Sequence, residues 1–117
     1  SSVNQMLIEM ILAKYNIKPA IAKNGLEAIS YLEQHQVYIV FMDCRMPVVD
    51  GFEATKRLRL KGYQKPIIAL TASTTSIETQ QCFQCGMNEI ISKPYQKEDI
   101  YQVLIKWGKK IKRLSPN

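Results

Sequence analysis

Apolar positions along this chain switch between two periods. From residue 4 to 15 they recur at helical spacing, with Leu7, Met10 and Ile11 on one stripe and Asn4 placed to cap it, which predicts an amphipathic helix. The segment "KPAIA" that follows reads as a short strand. Asn24 with Glu27 three places on has the form of a capping box, and it opens a second predicted helix, "GLEAISYLEQHQ", with Leu26, Ile29 and Leu32 on its stripe. Residues 37–42, "VYIVFM", are apolar at every position, the pattern of a strand covered on both faces in a parallel sheet.

The alternation continues to the C-terminus. Asp50, with Glu53 three places on, caps a third helix to about Lys61, and "PIIALTA" is a second doubly covered strand. A more polar helix is predicted from about Ser76 to Cys85, ended by Gly86, a residue suited to the left-handed closing position. "NEIISKP" supplies the last strand, and the final helix places Ile100, Val103, Leu104, Trp107 and Ile111 on one stripe. Strands and helices in alternation with short joints imply right-handed crossovers. The predicted fold class is therefore α/β, three layers α/β/α around a parallel sheet. It forms a single domain over residues 1–117, with a core at 4–107 and a basic tail at 108–117.

Composition changes this picture little. The 117 residues are enough for one domain with its own core, and no apolar run is long enough to cross a bilayer. Nothing resembles a signal peptide, so the expected compartment is the cytoplasm. The net charge of +6 is spread along the chain except for Lys106, Lys109, Lys110, Lys112 and Arg113. Without a docking motif or interleaved aromatics this argues for a solvated helix end, and no nucleic-acid partner is expected. Three cysteines without secretory features read as reduced thiols. Cys82 and Cys85 form a C-x-x-C with no second pair, and His35 is the sole histidine. That argues against zinc and for two small side chains on one helix face.

The candidate chemistry sits at strand ends. In a parallel sheet, residues just past the strands gather at one edge, where ligands bind. Asp43 ends "VYIVFM", Thr71 ends "PIIAL" and Lys93 ends "NEIIS", so a carboxylate, a hydroxyl and an ammonium are expected to converge. Such a group can be a structural ion pair. Alternatively, the carboxylate attacks a phosphoryl group and becomes an acyl phosphate. Three equatorial oxygens then need neutralising: Lys93 serves one, Thr71 another, and a magnesium ion the third. Pro47 stiffens the turn after Asp43, and Asp50 is assigned to helix capping.

Taken together, "MDCRMPVVDGFEA", "PIIALTA" and "GMNEIISKPY" strongly resemble the receiver domains of two-component signalling, most closely those of hybrid histidine kinases. The resemblance runs from Asn4 to about Trp107, with the motifs in the right order. It implies a flavodoxin-like fold, Asp43 as phosphoacceptor, and Thr71 and Lys93 as the family's switch hydroxyl and lysine. It also implies Mg2+ held by Asp43 and the main-chain carbonyl of Arg45, and a cis bond between Lys93 and Pro94. The phosphoryl donor would be a phosphohistidine on a histidine kinase or a histidine phosphotransfer domain, docking near the first helix, where Leu7, Ile8, Met10 and Ile11 lie.

The sequence departs from that family in two places. Relatives begin with a strand ending in two acidic metal ligands, whereas this sequence starts at "SSVNQ", which matches the stretch after them. The expectation is that the natural chain continues upstream with that strand and those acids, and that without them magnesium binds weakly. Ile90 also stands where many relatives carry Tyr or Phe, so an aromatic-swing switch is not expected. These departures motivate an alternative function, a pseudo-receiver that is never phosphorylated and acts as a protein-interaction module. A phosphatase of the haloacid dehalogenase type is a third reading, and Arg45 counts against it by standing where a second Asp is needed.

Overall fold

A computed structural model of the chain describes residues 22–37 and 39–114, with side chains as far as Gly108. Among these residues helices and strands alternate: α1 (Gly25–Gln34), β1 (Val40–Asp43), α2 (Gly51–Leu60), β2 (Ile67–Thr71), α3 (Ser76–Cys85), β3 (Glu89–Ser92) and α4 (Lys97–Leu114). The helix expected at 4–15 and the strand "KPAIA", apart from Ala22, lie outside the described residues. So do Leu7, Ile8, Met10 and Ile11. Residues 22–93 form one compact unit, and those from Pro94 onward belong to another.

The first unit contains a parallel sheet in the order β1-β2-β3. Val40 pairs with Ile67 and Asp43 with Leu70, while Ile68 pairs with Glu89 and Thr71 with Ser92. Every residue of β2 is buried, as its unbroken apolar run predicts for a central strand. In β1 only Met42 is buried, and the strand starts at Val40 rather than 37. Among the described residues the strand that β1 pairs with is β2.

Local chemistry sets the helix starts. Asn24 accepts a hydrogen bond from the Glu27 N–H at 2.9 Å, and Glu27 reaches back to the Lys23 N–H at 3.0 Å, a capping box displaced by one residue. Asp50 accepts from the Glu53 N–H at 2.9 Å, and Thr75 from the Glu78 N–H at 3.3 Å. Gly86 closes α3 with φ of 112°, a conformation that glycine adopts without steric cost.

The inward stripe of α1 differs from expectation. Gly25, Ala28 and Ile29 are buried and Leu32 is half-buried, while Leu26 is exposed. The cause is the contact at the helix start: the Gly25 N–H bonds the Val49 carbonyl at 2.8 Å, and a Cβ at position 25 would sit 2.2 Å from that oxygen. This approach fixes the roll of the helix and turns Leu26 outward. The helix also ends at Gln34, two residues early, because His35 takes an extended conformation.

The core joins Met42 and Cys44 to Val49, Phe52, Ala54 and Leu58 of the next segment and to Ile67, Ala69, Cys82 and Met87. Leu58 and Ile67 are completely buried, each contributing about 1.5–3 kcal/mol of transfer free energy. At the strands' N-terminal end, Arg59 acts as a clamp. Its guanidinium donates to the carbonyls of Gly86 (3.0 Å), Tyr63 (2.7 Å) and Lys65 (2.9 Å) and to Asn88 Oδ1 (2.9 Å). Asn88 Oδ1 also accepts the Ile67 N–H at 2.9 Å, so one cation ties the start of β2 to the start of β3.

In the second unit, α4 buries Ile100 and Val103 and half-buries Leu104 and Trp107. The side chain of Ile111 lies outside the description. The helix continues to Leu114, so the position of Ile111 falls within it. Among the described residues no helix is long and apolar enough to cross a membrane.

Candidate functional site

The turn after β1 is built to return the chain sharply. Cys44 N–H continues the ladder to the Leu70 carbonyl at 3.0 Å, and Val49 N–H bonds the Pro47 carbonyl at 2.8 Å. Val48, between them, has φ of 69°, which makes this a strained γ-turn of the rare hand. Gly51 N–H then bonds the Cys44 carbonyl at 3.0 Å. A Cβ at position 51 would meet the Asp43 carbonyl oxygen at 2.1 Å. The Asp50–Gly51 pair thus has two distinct roles: the aspartate caps α2, and the glycine lets that helix lie directly against the end of β1.

Asp43 emerges there as the last residue of its strand. Its Oδ1 is ion-paired with Lys93 Nζ, and the two side chains remain 19% and 21% exposed. Lys93 is held in place by its own N–H, which bonds the Thr71 carbonyl at 2.7 Å. The expected carboxylate–ammonium pair is therefore in contact, reachable from solvent and aligned by the ladder.

Thr71 is oriented otherwise. Its hydroxyl lies 2.8 Å from Glu78 Oε2 and 3.0 Å from the Ser73 carbonyl, and it accepts the Ser73 N–H at 3.1 Å. Glu78 is buried, and its Oε1 pairs with Arg45 Nη2 at 2.6 Å. The Thr71 hydroxyl foremost, with Arg45 and Ser73 behind it, holds the Glu78 carboxyl below the ordinary value, although burial pushes the other way. Arg45 lies over the Phe52 ring, 5.6 Å from its centroid, and its side chain is 74% exposed.

Sequence reasoning missed Glu78 and the side chain of Arg45. The available signal was spacing: Glu78 lies four residues before Cys82, and both are buried on α3, so an acid occupies the inward stripe. Behind the site, Cys44 Sγ and Cys82 Sγ are 3.9 Å apart and fully buried. Burial foremost, together with the proximity of the two thiols, pushes Cys44 far up from its ordinary value. All three cysteines are free thiols, and Cys85 is half-buried.

A magnesium ion requires hard oxygen donors, typically one or two carboxylates plus waters and substrate phosphate. Asp43 fits that chemistry. Its Oδ1 is shielded from water and accepts no hydrogen bond, so the ion pair with Lys93 is its compensation. No cluster of three or more acidic, His or Cys side chains forms among the described residues. The donors present fit magnesium, and they are few.

The model of the response regulator receiver domain matches residues 1–105. The chain belongs to that family. A curated relative of this receiver domain is hybrid signal transduction histidine kinase E of Dictyostelium discoideum, 38% identical over 114 residues, which covers 92% of this chain and 7% of the relative. The chain spans 5–17% of the length of the first curated relatives it matches. Among solved structures, the receiver domain of a sensor histidine kinase from Pseudomonas aeruginosa PAO1, with magnesium coordinated in its active-site cleft, is 34% identical. Its TM-score is 0.82, covering 92% of this chain and 89% of that one. The receiver domain of Saccharomyces cerevisiae Ssk1, co-crystallised with the histidine phosphotransfer protein Ypd1, is 29% identical with a TM-score of 0.84, covering 92% and 83%. The parallel sheet with helices predicted from the apolar pattern is the fold of these receiver domains.

Proposed function

We propose that this receiver domain accepts a phosphoryl group on Asp43 from a phosphohistidine of a histidine kinase or a histidine phosphotransfer domain. The observation that carries the reading is the solvent-reachable Asp43 carboxylate at a parallel strand's carboxyl end, ion-paired with Lys93. A carboxylate oxygen attacks phosphorus, the nitrogen–phosphorus bond breaks, and the imidazole nitrogen keeps the electron pair and takes a proton. Lys93 stays beside the new acyl phosphate and neutralises an oxygen of the transferring group. Thr71 supplies a hydroxyl donor once it turns from Glu78. Magnesium, when bound, draws off phosphoryl charge, and Asp43 with the main-chain carbonyl of Arg45 would hold it.

Support for the donor comes from similarity to a receiver that was crystallised with a phosphotransfer protein, and support for the metal from the magnesium-bound relative. A hybrid histidine kinase is the proposed parent, since such kinases are among the curated relatives. The test is incubation of the full-length protein with magnesium and a small phosphodonor. An acid-labile acyl phosphate that maps to Asp43 and is lost in D43N is expected. Its absence in a folded protein would favour the interaction-module reading, to which Ile90 points, being aliphatic and packed against the core.

A further inference from the structure

The Thr71 hydroxyl has one proton to give and two acceptors within reach. Glu78 Oε2, on a buried side chain and charged, lies 2.8 Å away, closer than the neutral Ser73 carbonyl at 3.0 Å, so the stronger bond is to the carboxylate. Glu78 is itself held by Arg45 at 2.6 Å, and Arg45 stands two residues beyond Asp43. One carboxylate therefore occupies two donors, the hydroxyl of Thr71 at the end of the strand beside that of Asp43 and the guanidinium of Arg45 just beyond Asp43 in the chain. We propose that Glu78 is a positioning residue of this receiver: it holds Thr71 and Arg45 in the resting arrangement, and the phosphoryl group on Asp43 must win them from it.

The physical argument is a competition. Thr71 carries its hydroxyl on a branched Cβ, so the oxygen moves in discrete rotamer steps. Any step that turns it from Glu78 gives up a hydrogen bond to a charged, desolvated acceptor and leaves that carboxylate to Arg45 and Ser73. Hydrogen bonds to charged groups are the strong ones. A buried acid left short of donors is costly, so the resting arrangement opposes phosphorylation until a second anion compensates.

This inference rests on the receiver reading above, and its test separates the two. Adduct formation from a small phosphodonor is measured on the full-length protein for wild type, E78Q, T71V and the double variant. E78Q keeps shape and removes charge, and about a tenfold faster formation is expected, the worth of one charge-assisted hydrogen bond at the low end. In the T71V background the same substitution should have a clearly smaller effect, the part that Arg45 alone carries. The Thr71 methyl three-bond couplings, read without phosphodonor, should report one rotamer in wild type and an average in E78Q and R45A. Equal rates in wild type and E78Q, an E78Q effect that is undiminished in the T71V background, or unchanged couplings would each overturn the inference alone. No Asp43 adduct in any variant would overturn the receiver reading, and with it the functional sense of the latch, whatever the couplings show.

Discussion

Replacing Gly51 by alanine tests whether the close approach of α2 to β1 is what places Asp43. The added Cβ would lie 2.1 Å from the Asp43 carbonyl oxygen, 2.9 Å from its carbonyl carbon and 3.0 Å from Cys44 Cα. All three are backbone atoms, so no side-chain rotation relieves the overlap. Reaching an ordinary separation of about 3.5 Å from the present 2.1 Å means parting the helix start and the strand end by about 1.4 Å. Overpacking of that kind costs about 1–3 kcal/mol, and losing the Gly51 to Cys44 bond costs about 1 more. Alanine's advantage over glycine in a helix returns about 0.5–1 kcal/mol. The expected net loss is about 1–3.5 kcal/mol of stability. Because a misplacement near 1 Å can cost on the order of 100-fold in rate, phosphorylation of Asp43 should fall well beyond what the unfolded fraction explains. Chemical unfolding and the rate of adduct formation from a small phosphodonor read the two effects separately. Wild-type stability in G51A would refute the packing argument, and lost stability with an unchanged rate would refute the placement argument.

Two other outcomes follow from the packing. R59A should destabilise the domain by about 3 kcal/mol, since it strips a charged donor from four oxygens, and R59K should recover little because one ammonium cannot reach them all; thermal unfolding of the three proteins checks this. A thiol-reactive dye at mildly alkaline pH should label Cys85 first and leave Cys44 and Cys82 unmodified in the native protein: burial pushes all three thiols up, but only Cys85 is partly exposed. All three should react in denaturant, and rapid native labelling of Cys44 would contradict the described core.

Much of the fold could be read from the sequence because the apolar runs are unambiguous. "PIIAL" has no polar position and became a wholly buried strand, and Asp50, Thr75 and Gly86 sit where helix ends need them. The errors share one physical origin. Leu26 was assigned inward by spacing, whereas the approach of Gly25 to the Val49 carbonyl decides the roll of α1. The apolar run starts β1 at residue 37, whereas pairing begins at Val40, because apolar character alone does not mark where the ladder starts. At the site, strand ends predicted the Asp43–Lys93 pair, since topology alone brings them to one edge. The orientation of Thr71 was not predictable that way. It depends on Glu78, which lies in the first turn of the more polar helix α3, where one inward acid does not stand out from its polar neighbours.

The Arg59 clamp has a mechanical consequence. The two ends of the sheet are unequally fastened: one guanidinium rivets the chain where β2 and β3 begin, and the loops that carry Asp43, Thr71 and Lys93 lie at the opposite ends of those strands. A lever needs a fulcrum, and here it is far from the load. Sliding β3 along β2 would break the bonds of Asn88 to Arg59 and to Ile67 together, so their register is set at that end.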